Sequence, residues 1–163
     1  AVMDIDYYTF APYKVVWREQ ADRLTGSVIG VQDSKPVVPD HKLMLVDCQG
    51  KSEAHFVCAC LNSALGQFVA KSYAVEIQMD PHVLEHICIP KFDSKDEVHA
   101  RLSELSQRAH ELAERGDMKA LKQVEGEIDL WAARVWGLTE KELREIQRSL
   151  KELMGREDAE PAD

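Results

Sequence analysis

The densest cluster of chemistry-bearing residues is "HFVCAC", where His55 stands three positions before Cys58, and Cys58 and Cys60 form Cys-x-Cys. Thiolate and imidazole are the ligands of zinc, and thiolates are the nucleophiles of thiol chemistry. The surrounding segment reads as a helix, capped by Ser52 and running to about Lys71. Side chains two apart on a helix diverge by about 160°, so Cys58 and Cys60 cannot chelate one ion while helical. His55 and Cys58 can share a face, yet two ligands are too few for a structural zinc site. Cys58 joins Ala54, Leu61, Leu65 and Phe68, while Ala59, Ser63, Gly66 and Ala70 form an opposite face of small residues. The thiols are therefore expected as small buried filler in a helix covered on two sides.

A second constellation is Pro39-Asp40 followed far downstream by Asp93-Ser94-Lys95. It loosely matches the proline-acid and acid-x-lysine pattern of magnesium-dependent nucleases, where two carboxylates hold the metal and a lysine polarises phosphate or water. The acid-x-lysine should then lie on a strand, whereas Ser94 reads better as a helix cap. His99 and His110 fall near one face of a later helix and are expected on a solvated flank. There is no Gly-rich phosphate loop and no useful Ser-His-Asp spacing.

The elements that must position these groups change character near residue 93. "YKVVWR" (13–18), "GSVIGVQ" (26–32), "KLMLVDC" (42–48) and "SYAVEIQ" (72–78) read as strands, Asp80-Pro81 as the start of a short helical turn, and "ICIP" as a last strand ended by Pro90. From Ser94 the period is helical. Ser94 with Glu97 reads as a capping box, Asp117 as the cap of a second helix, and Thr139 with Glu142 as a second box with Leu138 and Leu143 at the staple positions. The fold class is α+β: a mixed sheet packed on a buried helix over 1–92, then a helical hairpin and third helix over 93–154, and an acidic tail, 155–163, expected to be disordered.

Of the 163 residues, 45% are apolar and 30% charged, an ordinary globular balance. Four cysteines without an export signal point to the cytoplasm, no apolar run suits a membrane, and the abrupt start suggests a piece of a longer protein. The net charge of −9 argues against a generic polyanion binder. It is uneven, however: residues 1–92 carry −3 and residues 93–163 carry −6.

"YKVVWRE", "VVPDHKLMLV", "CACLNSALGQFV", "LEHICIPKFD", "HARLSELSQRAHE" and "EGEIDLWAARVWGLTEKELREI" follow one another in a particular order. In that order they resemble the TaqI-like target-recognition domain at the C-terminal end of adenine-specific DNA methyltransferases of type IIG and related restriction–modification systems. The likeness covers about 13–153, and its Leu-Asn-Ser and Ile-Pro pieces are shared with specificity subunits of type I systems. It implies sequence-specific binding of double-stranded DNA, beside an N-terminal methyltransferase domain in the parent chain. The Asn-Pro-Pro-Tyr-type motif and glycine-bearing cofactor loop of that domain are absent here. The fragment is thus expected to be non-catalytic and without cofactor, S-adenosylmethionine (and magnesium, if the parent also cuts DNA) belonging to the parent.

The resemblance fixes no base-reading residues, because these differ with the target. Arg, Lys, Asn and Gln read base edges, while Lys and Arg hold phosphates with hydroxyl support. The candidates are Arg18, Arg23, Lys35, His41 and Lys42, with Lys71, Tyr73 and Gln78. A recognition surface requires Arg18, Arg23, Lys35, Lys42 and Lys71 on one face. The rival readings are a protein-interaction module, docking a partner subunit or the catalytic domain, and the magnesium-dependent nuclease.

Overall fold

The computed structural model describes residues 6–74 and 78–157, with side chains to Gly155. It is α+β. The strands are β1 (Tyr13–Arg18), β2 (Ser27–Ile29), β3 (Val31–Gln32), β4 (Lys35–Pro36) and β5 (Leu43–Cys48). A three-stranded sheet has the order β2-β1-β5, and β3 and β4 form a separate ribbon; all these pairings are antiparallel. The stretch expected as one strand over 26–32 is divided, because the chain leaves the sheet at Gly30 and doubles back at Asp33-Ser34. Both turn residues have positive φ (49° and 63°), as the favoured two-residue hairpin turn requires.

Alternation along β1 gives the sheet two faces. Val15 and Trp17 enter a core with Leu24, Cys58, Leu61 and Met79. Lys14, Val16 and Arg18 take the other face. Lys14 is only 1% exposed, and its Nζ donates to the Ala11 and Val37 carbonyls at 2.6 and 2.9 Å. Burial lowers its pKa.

The expected long helix is two helices, α1 (Lys51–Asn62) and α2 (Ala64–Tyr73). Its N-cap is Gly50 rather than Ser52, which lies inside the first turn. Ser63, with extended backbone, breaks the helix. Its hydroxyl donates to the Cys60 carbonyl (2.8 Å) and accepts from the Gly66 N–H (3.2 Å), so one side chain serves the end of α1 and the start of α2. Helix α2 runs through Tyr73 where a strand was expected, and residues 75–77 of that strand lie outside the described residues.

Helix α1 is buried on two sides. Ala54, Cys58 and Leu61 face the sheet, and Phe56, Ala59 and Cys60 pack against Leu102, Leu105, Val124 and Ile128. Cys58 and Cys60 thus enter different clusters, and burial pushes the Cys58 thiol up to about 12, where it stays protonated.

Asp80 caps α3 (Pro81–Glu85) through the Val83 N–H. "ICIP" forms no strand. Ile87 and Cys88 instead donate to Leu84 and Glu85 in turns that follow α3, with Cys88 at φ 54°. Helix α4 (Glu97–Glu114) is capped by Asp96, whose Oδ1 accepts from Val98 and His99 at 2.8 and 3.2 Å, not by the expected Ser94–Glu97 box. A carboxylate suits the positive end of a helix better than a hydroxyl does.

Asp117 caps α5 (Met118–Val135), which returns along α4 after Gly116 at φ 71°. Gly137 (φ 66°) then leads into α6 (Glu140–Glu157). The Thr139–Glu142 box forms in both directions: Glu142 N–H donates to Thr139 Oγ1 (3.3 Å), and Thr139 N–H donates to Glu142 Oε2 (2.8 Å). Leu138 and Leu143 pack in one cluster with Ala64 and Ala133. Thr139→Ala should therefore lower stability by about 1 kcal/mol, read from the urea midpoint. An unchanged midpoint would mean that this cap contributes nothing.

The two helical histidines are not on a solvated flank. His110 Nε2 accepts from the Val28 N–H at 3.0 Å, so its Nδ1 carries the proton and donates to the Ser106 carbonyl (2.7 Å). His99, 8% exposed, accepts from the Asp93 N–H at Nδ1 (3.0 Å). Both bonds satisfy main-chain groups where helix meets sheet or loop. No helix of the described residues is long and apolar enough to cross a membrane. The tail residues 158–163 lie outside the described residues.

Candidate functional site

Most of the candidate side chains converge where β1 ends. Arg18 is its last residue, paired across the sheet with Leu43, which follows Lys42. Beyond β1 the Glu19 N–H donates to the Lys42 carbonyl, Met79 N–H donates to the Glu19 carbonyl, and Gln20 bridges Gln78. Arg18, Lys42 and Gln78 therefore border one end of the sheet.

Residues 22–26 hold Arg23 at the same end. Three side chains of α1 and α2 bond this segment at every second residue: Lys71 Nζ donates to the Asp22 carbonyl (2.9 Å), Gln67 Nε2 to the Leu24 carbonyl (2.5 Å), and Asn62 Nδ2 to the Gly26 carbonyl (2.9 Å). Asn62 Oδ1 also accepts from the Gly26 N–H, which completes a two-bond clasp. Leu24 is buried between these anchors, while Arg23, Thr25 and Ser27 are exposed. Lys71 thus joins the cluster, with its ammonium engaged as an anchor.

Tyr73 and Gln78 share a smaller hollow with His82 and His86. The Tyr73 ring lies parallel to His86, with centroids 3.8 Å apart and 9° between planes. Two candidates are placed less favourably. His41 is exposed and bonds its neighbour Asp40 at 2.6 Å. Lys35 lies on the β3–β4 ribbon, which follows β2 at the opposite end of the sheet, near the β1 start. The expected single face of five cations is not formed: Arg18, Arg23 and Lys42 border one end of the sheet, Lys71 reaches that end from the helix side, and Lys35 lies at the opposite end.

Compared with models of protein families, with curated proteins and with solved structures, the chain matches none.

The cluster must be read from its own charges. Arg18 and Arg23 form no ion pair among the described residues, whereas Arg101, Arg144 and Arg148 of the helices are each paired with glutamates. Glu19 and Asp22 are the acids of the same loop. Asp93 and Lys95 of the nuclease-like pattern lie on no strand, and Asp93 Oδ1 accepts from the Lys95 N–H. Among the described residues no group of three His, Cys, Asp or Glu is placed to hold a metal ion.

Asn62, Gln67, Thr25 and Ser27 were not among the sequence candidates. Asn62 sits in the Leu-Asn-Ser triplet, but its partner is 36 residues away, and nothing local signals that contact. The alternation Arg23-Thr25-Ser27 around Leu24 and Gly26 was readable, yet its polarity resembles an ordinary loop.

Proposed function

We propose that this chain is a sequence-specific DNA-binding, target-recognition module of a restriction–modification DNA methyltransferase, non-catalytic by itself. Methyl transfer on this reading belongs to another domain of a longer parent chain. The segments from "YKVVWRE" to "WGLTEKELREI", in their order along the chain, support it through their resemblance. The observation that carries it is the distribution of cations in an acidic chain. Three helix arginines, Arg101, Arg144 and Arg148, are neutralised by neighbouring glutamates, while Arg18, Arg23 and Lys42 border one end of the sheet with Lys71 reaching it from α2. Guanidiniums that form no ion pair are available to phosphates, whose bound counterions are then released.

Specificity on this reading comes from side chains that reach base edges, with Gln78 and Arg23 as the first candidates. The test is duplex retention by the chain over a salt series. Binding should weaken steeply as salt rises, and removing the Lys42 charge should weaken it equally on all sequences. Gln78→Ala should instead relax discrimination at one base pair by about 1–3 kcal/mol. No retention at low salt, together with an unchanged methylated sequence when residues 13–92 are deleted from the parent, would defeat the reading.

A protein-docking module is the second reading. The exposed apolar side chains Tyr7, Phe10, Val38 and Val46, around the first turn and β5, favour it. A partner held independently of salt, without DNA retention, would be its sign.

A further inference from the structure

On the sheet face opposite α1 lies a groove of about 450 Å³, lined by Arg18, Arg23, Thr25, Ser27 and Leu43 over a floor of Val16. Its polar lining is two guanidiniums and two hydroxyls, and no carboxylate borders it. That is notable in a chain with 29 Asp and Glu. The register explains the grouping: Val16 faces Ser27 and Arg18 faces Leu43, so these side chains share one face. Thr25 and Arg23 extend it because Asn62 and Gln67 hold Gly26 and Leu24 from the other side.

We infer that this groove is a preformed seat for one phosphodiester of a DNA backbone. The inference rests on the DNA-binding reading and adds the atoms that hold the anion. Guanidinium forks match phosphate oxygens, and the Thr25 and Ser27 hydroxyls supply further donors. The anchors behind the segment fix the main chain that carries Arg23, Thr25 and Ser27 before any ligand arrives, which reduces the ordering cost of binding. Val16 makes the floor apolar, so the charges there are less screened by water than on a flat surface. One competitor is present. Arg23 also borders a cavity with Asp129 and Gln147, and its charge acts on the Asp129 carboxyl. The phosphodiester must draw the guanidinium toward the groove.

The test uses the whole chain with two probes, inorganic phosphate and a short duplex, followed at the backbone amides of residues 18–27. Both should shift the Thr25 and Ser27 amides in the wild type. Arg18→Gln/Arg23→Gln, shown to fold by its melting curve, should lose both responses. Its salt slope for duplex binding should fall by about one unit in total, because both guanidiniums serve a single phosphate. Thr25→Val should weaken duplex binding several-fold at an unchanged slope. Duplex binding in which the double variant keeps the wild-type slope and the groove amides stay still would overturn the groove while leaving the DNA reading intact. If phosphate moves these amides but no duplex is retained, the groove is an anion site only, and the phosphodiester assignment falls with the DNA reading. If neither probe moves them, the groove is refuted.

Discussion

Gly66→Ala is expected to destabilise the protein by about 3 kcal/mol or more, at the upper end of what overpacking costs. A Cβ at this position would lie 2.3 Å from the Cys60 carbonyl oxygen and 2.6 Å from that of Leu61. Both obstacles are backbone at the end of α1, pressed against the first turn of α2 by the break at Ser63. A flexible side chain could swing aside, but these carbonyls cannot without opening the Ser63 bonds. Gly126 is the control. It lies inside α5 with nothing within 4 Å of its added Cβ, so Gly126→Ala should stabilise by about 0.5–1 kcal/mol. Urea unfolding of both variants checks the pair. A Gly66→Ala protein as stable as the wild type would disprove the close approach of α1 and α2.

Mild acid should produce the second large effect. His55 is buried, with Nδ1 3.1 Å from Ser106 Oγ and its ring edge-on to His110. Burial first, then the charges of His110 and Lys51, lowers its pKa from 6.5 to about 4. The unfolded chain takes up this proton near pH 6.5 and the folded chain only near pH 4. Between these values the unfolded state binds more protons, so stability falls as pH falls, by on the order of 3 kcal/mol over the whole window and about 2 kcal/mol by pH 5.

Staying above pH 5 limits interference from Asp40 and Glu142. Their carboxyls are held below the ordinary range, first by the main-chain N–H groups of His41 and Thr139, and they lose stability only in stronger acid. Urea unfolding at pH 7 and pH 5 should show a smaller loss in His55→Gln than in the wild type. Equal losses would remove His55 as the cause.

What the sequence revealed divides along the range of the contacts. The caps at Asp80, Asp117 and Thr139 were legible because each acts on groups within three residues of itself. The α+β class was legible because the hydrophobic period changes near residue 93. The break at Ser63 was not, because Ala59, Ser63, Gly66 and Ala70 fit an unbroken helical face equally well. Only the packing of α2 shows why a capping residue and a glycine stand there. Asp96 displaced Ser94 as a cap because two acids and a serine compete for the same helix end. His99 and His110 read as solvated since their partners, Asp93 and Val28, are main-chain groups invisible to side-chain patterning.

The site was half legible for the same reason. Arg18 and Arg23 stand out as cations, but their shared groove depends on strand register and on Asn62, far along the chain. Lys35 looked equivalent to them in composition, and the ribbon turn at Asp33-Ser34 sends it to the other end of the sheet.

The placement of α1 has a consequence for any attempt to graft the sheet onto another protein. Phe56, Ala59 and Cys60 are sealed by α4 and α5, while Ala54, Cys58 and Leu61 of the same helix carry the sheet. A graft ending near residue 93 would leave the first three facing water, at a cost of about 2–3 kcal/mol for the phenylalanine alone. It would also strip His110 from the Val28 N–H beside the groove. The unit of exchange between proteins is therefore the sheet together with its helical hairpin, and a chimera must be joined beyond Val135.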